Sequence, residues 1–195
     1  MEAMRRALYA GTFDPVTLGH LDLIERGRRL FPSLTVAVAD NVRKTPLFSV
    51  EERVAMLRAE TKKRRLRGVE VTSFRGLVVE WARERGIEVL LRGVRTTSDF
   101  EFEYQMALTN RALAKDIETV FVMPSAEYAY LSSTLIREVV RWGGDVSRWV
   151  PPAVERALRK RLKGDGELEG PSSAKAPAAG RKKPKTPKTR RRRKA

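Results

Sequence analysis

Along the first 162 residues, short apolar runs alternate with longer segments of helical period. RALYAG (6–11), LTVAVA (34–39), VEVTSF (69–74), EVLLRG (88–93) and TVFVM (119–123) have the length and the Val, Leu and Ile content of strands. Between the first two, GHLDLIERGRRLF (19–31) sets Leu23, Ile24, Gly27, Leu30 and Phe31 on one helical face. SVEERVAMLRAETKK (49–63) opens with Ser49 and Glu52 in capping-box spacing, and LVVEWARERG (77–86) closes on Gly86, a residue suited to a helix C-cap. Further helices fit 99–114, 132–142 and 152–162. Strict alternation of strands with helices, several strands apolar throughout, predicts an α/β fold: a Rossmann-like, doubly wound, parallel five-stranded sheet covered on both faces.

Such sheets bind ligands beyond the carboxyl ends of their strands, where helix N-termini offer unpaired N–H groups to anions. The segments following the strands are GTFDPVTLGH, DNVRKTPLF, RGVRTTSDFEFE and PSAEYAYLSSTLIR. They project Lys44, Arg92, Arg95 and Arg137, several hydroxyls and at least two helix starts toward one rim, a collection suited to several phosphates. His20, the single histidine of the chain, begins a helix there. Its helical face, shared with Leu23, Ile24 and Gly27, suits a core histidine bonded to a carbonyl. Its place in the first turn, behind Gly19, suits a phosphate donor instead. The helix dipole and nearby cations are expected to depress its pKa, leaving a neutral imidazole whose N–H donates.

Composition narrows the chemistry. The chain has no cysteine and one histidine, which excludes disulfides, thiolate nucleophiles and multi-histidine metal sites within one chain. No stretch approaches the roughly 20 apolar residues of a membrane span, and the first residues lack the apolar core of a secretory signal, so a cytoplasmic location is expected. The net charge of +16 is concentrated at one end: residues 170–195 hold eleven Lys and Arg and no acid, leaving 29 basic against 24 acidic residues before them, about +5. A domain over 1–165 followed by a disordered basic tail over 166–195 is expected, with any nucleic-acid contact confined to the tail.

GTFDPVTLGH matches the strand-to-helix signature of the nucleotidyltransferase superfamily, whose T/HxGH motif appears as Thr17, Leu18, Gly19 and His20. LSSTLIR (131–137) matches the second signature. Within the superfamily, YAGTFDP, KTPLFSVEERVAM, LLRGVRTTSDFEFEYQMALTNR and VFVMPSAEYAYLSSTLIREV resemble the bacterial phosphopantetheine adenylyltransferase family over residues 5–162. The resemblance implies transfer of the adenylyl group of ATP to 4'-phosphopantetheine, giving dephospho-CoA and pyrophosphate by direct in-line attack. An acceptor phosphate is already ionised, so no general base is needed. It implies Mg²⁺ arriving with ATP, no protein metal ligand, and a homohexamer.

The resemblance also assigns residues. His20 matches the group that stabilises the transition state at the α-phosphate, and Thr12 the residue reaching both substrates, with Phe13 beside it at ATP. Lys44 and Arg92 match the cations holding the pantetheine phosphate, and Val78 a backbone contact to that substrate. Gly93, Val94 and Arg95 match an ATP-binding segment and Glu103 a further nucleotide contact. Tyr128, Ala129, Tyr130, Leu131, Ser132, Ser133 and Thr134 match the loop and helix start around the nucleotide. Taken singly, Lys44 and Arg95 also suit ordinary surface cations, Ser133 a helix cap and Glu103 a partner for an arginine a turn away. The alternative enzyme is a relative acting on nicotinate mononucleotide or a polyol phosphate. The non-enzyme alternative is an adaptor working through the tail.

Overall fold

The computed structural model describes residues 5–40 and 46–164. The elements run β1 (Arg6–Gly11), α1 (Leu18–Leu30), β2 (Ser33–Ala39), α2 (Val50–Lys63), β3 (Val69–Phe74), α3 (Val78–Arg83), β4 (Val89–Gly93), α4 (Thr97–Leu113), β5 (Glu118–Val122), a 3-10 turn (Ala126–Tyr128), α5 (Ser133–Arg141) and α6 (Pro152–Gly164). The five strands form one sheet in the order β3-β2-β1-β4-β5, every neighbouring pair parallel. Winding proceeds outward from β1 through β2 to β3, then restarts on the other side with β4 and β5. The strand order therefore reverses between β1 and β4, and at such a switch the helices diverge and leave a crevice above the strand ends.

Alternation within β1 divides the core in two. Ala7 and Tyr9 join the larger cluster with α1, α2, α5 and α6, while Leu8 and Ala10 join a smaller one with Val79, Trp81 and Ala82 of α3. Gly27 lets α1 lie directly on the sheet: a Cβ there would come within 2.4 Å of Leu91 Cδ2 and 3.2 Å of Leu34 Cδ2. The second face is less completely covered. In α4 only Asn110 is buried, and Phe100, Phe102, Tyr104, Met106, Leu108 and Leu113 are exposed.

Most expected elements are present, with small shifts at their ends. The helix expected over 77–86 covers only Val78–Arg83. Its last turn tightens, Arg85 N–H donating to Ala82 O and Gly86 N–H to Arg83 O, and Gly86 turns the chain at φ +60°. The helix expected from residue 99 starts at Thr97, because the Thr96 hydroxyl caps the Asp99 amide at 3.2 Å. Lys44 and the expected tail over 166–195 lie outside the described residues.

Candidate active site

The first turn of α1 is closed by an unusual capping box. Thr17 is the N-cap, and its hydroxyl accepts from the His20 amide at 3.2 Å, while Nδ1 of His20 accepts from the Thr17 amide at 3.1 Å. The reciprocal partner at this helix position is ordinarily Glu or Gln. An imidazole in that place accepts through Nδ1, so its proton resides on Nε2 in the neutral form. Burial lowers the His20 pKa to about 4, with the Arg95 charge adding to the effect. The expected depression is thus present, but burial leads it. Among the described residues His20 bonds Thr17 and no carbonyl, and its lowered pKa keeps the ring neutral at neutral pH. It is a held N–H donor.

Around it lies a cavity at the ends of β1 and β4. It is bounded by Tyr9, Gly11 and Phe13, by the N-terminal turn of α1, by Arg92, Gly93 and Arg95, and by Leu131, Ser132 and Ser133 at the start of α5. The N-termini of α1 and α5 both open on it, the second capped by the Ser132 hydroxyl on the Leu135 amide at 3.0 Å. Phe13 takes the left-handed conformation, φ +51°, and its ring meets Tyr9 and His20 edge-on at 5.4 and 5.0 Å. A bulky residue held there costs about 1–3 kcal/mol, a cost the surrounding contacts must offset. Gly93 admits close approach by α1, since a Cβ would fall 2.3 Å from Leu23 Cδ1. The Tyr9 phenol is driven well above its ordinary pKa by burial and stays protonated.

A second, more apolar cavity adjoins the first on the other side of β1. It is lined by Thr12 and Ala39 at strand ends, Phe74 and Val78 around α3, and Met106 and Asn110 of α4. The two share Ala10, Gly11 and Arg92. Arg92 is thus the polar side chain on their common border. Its Nη1 donates to Ala10 O at 2.7 Å, and Nε and Nη2 donate to the two Glu103 oxygens at 2.7 and 2.5 Å. Burial opposes its charge, but the Glu103 hydrogen bonds and charge outweigh that and raise its pKa. Arg95 is oriented by Asp99, at 2.8 and 3.2 Å, and by Leu131 O.

The second signature is tied to the first. Arg137, expected at the rim among the phosphate-facing cations, instead donates to the Asp14 carbonyl and pairs with the Asp14 carboxylate at 3.2 Å. Ser133 Oγ donates to Pro15 O at 2.8 Å. The Asp14 carboxylate, nearly fully buried, also accepts from the Leu47 and Phe48 amides at 2.8 and 3.0 Å. A buried carboxylate requires such partners, and they are its reason for being there. The correction to Arg137 has this physical cause: the nearest anion to it is Asp14.

The cytidylyltransferase-like family profile matches residues 8–139. A phosphopantetheine adenylyltransferase from Desulforudis audaxviator (strain MP104C) is 50% identical over 165 residues, 84% of this chain and 100% of that one. The chain belongs to the phosphopantetheine adenylyltransferase family. Among solved structures, one described as a nicotinate-nucleotide adenylyltransferase from Vibrio parahaemolyticus superposes with a TM-score of 0.57 at 17% identity, covering 84% of this chain and 94% of that one. That likeness is one of fold.

The positions matched to the phosphopantetheine adenylyltransferase family fall into three groups. Phe13, His20, Arg92, Gly93, Arg95, Tyr128, Leu131, Ser132 and Ser133 meet at the first cavity, and Thr12, Val78 and Arg92 at the second. The other described positions lie off these walls. Glu103 clamps Arg92, and Val94 donates its amide to Val122 O at 3.1 Å. The Tyr130 hydroxyl accepts from Trp149 Nε1, Thr134 is exposed beside Arg137, and Ala129 follows the 3-10 turn. Lys44 is outside the described residues. Tyr9 lines the first cavity, and Asn110 and Met106 the second, in addition to the positions the sequence assigns. Tyr9 is readable from the alternation of β1, whereas nothing local marks the two α4 residues.

Proposed function

We propose that the two cavities hold the two substrates of an adenylyl transfer: ATP in the first, 4'-phosphopantetheine in the second, with the reacting phosphates meeting at Arg92. The observation that carries this reading is the shared border. A cavity fed by two helix N-termini and a fixed neutral imidazole touches a more apolar one along Ala10, Gly11 and the Arg92 guanidinium. The 50% identity to a phosphopantetheine adenylyltransferase supports the same assignment.

In the reaction an acceptor phosphate oxygen attacks the α-phosphorus, the new P–O bond forms, the bond to the bridging oxygen breaks, and pyrophosphate leaves with that electron pair. No proton need be removed from the nucleophile. The chain's own work is alignment and charge stabilisation. His20 Nε2–H donates to an α-phosphate oxygen as charge builds there, Arg95 and the start of α5 hold the nucleotide phosphates, and Arg92 with Lys44 holds the acceptor phosphate. Among the described residues no group of three or more His, Cys, Asp or Glu is placed to hold a metal ion. Asp99 and Glu103, near the cavity, are already committed to Arg95 and Arg92. A Mg²⁺ ion arriving with ATP would supply screening of the phosphate charge.

The same reading places the activity in the cytoplasm and the chain in a homo-oligomer, up to a hexamer, built on the exposed apolar residues of α4. Sedimentation of the purified chain tests the second point, and a monomer at micromolar concentration would refute it. The reaction is tested by pyrophosphate release from ATP. Release is expected with 4'-phosphopantetheine and not with nicotinate mononucleotide or a polyol phosphate. The reverse pattern would reject the substrate.

A further inference from the structure

The guanidinium of Arg53 lies beneath the second cavity, and its surroundings give it a task. Arg53 is on the first turn of α2 and is 1% exposed. Its four hydrogen bonds among the described residues all go to main-chain carbonyls: Nε to Phe48 O at 3.0 Å and Ser49 O at 3.2 Å, Nη1 to Thr12 O at 2.7 Å and Ala39 O at 3.2 Å. The last two carbonyls belong to residues that line the second cavity, at the ends of β1 and β2, and neither lines the first. A planar fork of N–H donors can hold several carbonyls in fixed relation, which a lysine ammonium on a flexible stem cannot do.

We propose that Arg53 is a positioning residue for the acceptor substrate, acting through the main chain of Thr12 and Ala39. It sets the separation of the β1 and β2 ends and so the shape of the wall that meets 4'-phosphopantetheine. It also ties that wall to Phe48 and Ser49, so the start of α2 and both strand ends move as one body. None of its four hydrogen bonds goes to a residue that lines the first cavity. This inference rests on the assignment of the second cavity to the acceptor.

The test is steady-state kinetics of Arg53→Lys in the full chain, with each substrate varied in turn. KM for 4'-phosphopantetheine is expected to rise about tenfold, the equivalent of one well-made hydrogen bond, with KM for ATP within about twofold of wild type. Leu57→Ala, a core change in the same helix that touches none of these carbonyls, is the control for lost stability and is expected to leave both KM values in place. Equal rises for both substrates, no rise in a folded variant, or the same split in Leu57→Ala would overturn the proposal. In the wild-type chain, the Arg53 Nε–H resonance is expected to shift on adding 4'-phosphopantetheine and to hold still on adding ATP. That measurement decides the matter even where the variant does not fold, and an unmoved resonance with either ligand counts against it. Wild-type protein that fails to use 4'-phosphopantetheine would instead refute the substrate assignment.

Discussion

Acidification perturbs one imidazole in this chain, and its effect can be worked through. His20 has its pKa lowered from 6.5 to about 4 in the folded protein, first by burial and then by Arg95. The unfolded chain therefore takes up the proton before the folded one. Stability from this group is fully present above about pH 6.5, declines as the pH falls toward 4, and is not lost further below that. The drop corresponds to about 3 kcal/mol, a large share of a typical domain stability of about 5–15 kcal/mol. Because His20 is the single histidine, its ring nitrogens give one unambiguous set of NMR signals. A midpoint near 4 is expected, with the proton on Nε2 at neutral pH, since Nδ1 is occupied by the Thr17 amide. His20→Gln keeps capping-box chemistry and removes the titration. The difference in unfolding free energy between wild type and this variant should therefore shrink by about 3 kcal/mol between pH 7 and 4. A midpoint near 6.5, a proton on Nδ1, or a flat difference would refute the reasoning.

Other outcomes follow from the same geometry. His20→Ala removes the proposed donor to the α-phosphate and is expected to lower kcat on the order of 10²-fold in the pyrophosphate-release assay; an unchanged kcat would reject its role. Arg92→Ala should raise KM for 4'-phosphopantetheine more than KM for ATP, and equal effects would show that the guanidinium serves both alike. Gly27→Ala forces a methyl against Leu91 and Leu34, neither of which is exposed, and should cost about 1–3 kcal/mol in urea unfolding. Removing residues 166–195 should leave adenylyl transfer unchanged, since the resemblance that implies the activity ends at residue 162; loss of turnover would favour the adaptor reading.

The strands were legible because a sheet buried on both faces demands continuous apolar runs, as in LTVAVA, and the start of α2 because Ser49 and Glu52 carry their capping chemistry in the sequence; the caps of α1 and α5 are Thr17 and Ser132, where the sequence suggested Ser133 for the latter. The rim followed from the order of strands and helices alone. What could not be read is which anion a cation meets. Arg137 and Glu103 look alike in sequence whether they face a ligand or a neighbouring side chain, and only folding brings Asp14 to one and Arg92 to the other. Arg53 is harder still. In VEERVAMLRAETKK it is one charge among many on a helix whose apolar and polar positions are weakly separated, and its burial depends on carbonyls up to 41 residues away. Helix α4 has apolar residues on every side, so its periodicity singles out no face, and Met106 and Asn110 could not be told from their neighbours.

Arg92 forms part of two walls at once, so its guanidinium is a point at which the two halves of the crevice can influence each other. Any occupant of one side that draws the guanidinium toward itself changes what the other side offers, and the influence must run equally in both directions. Under the proposed function, linkage between ATP and 4'-phosphopantetheine is expected to change when Arg92, or the Glu103 that restrains it, is replaced.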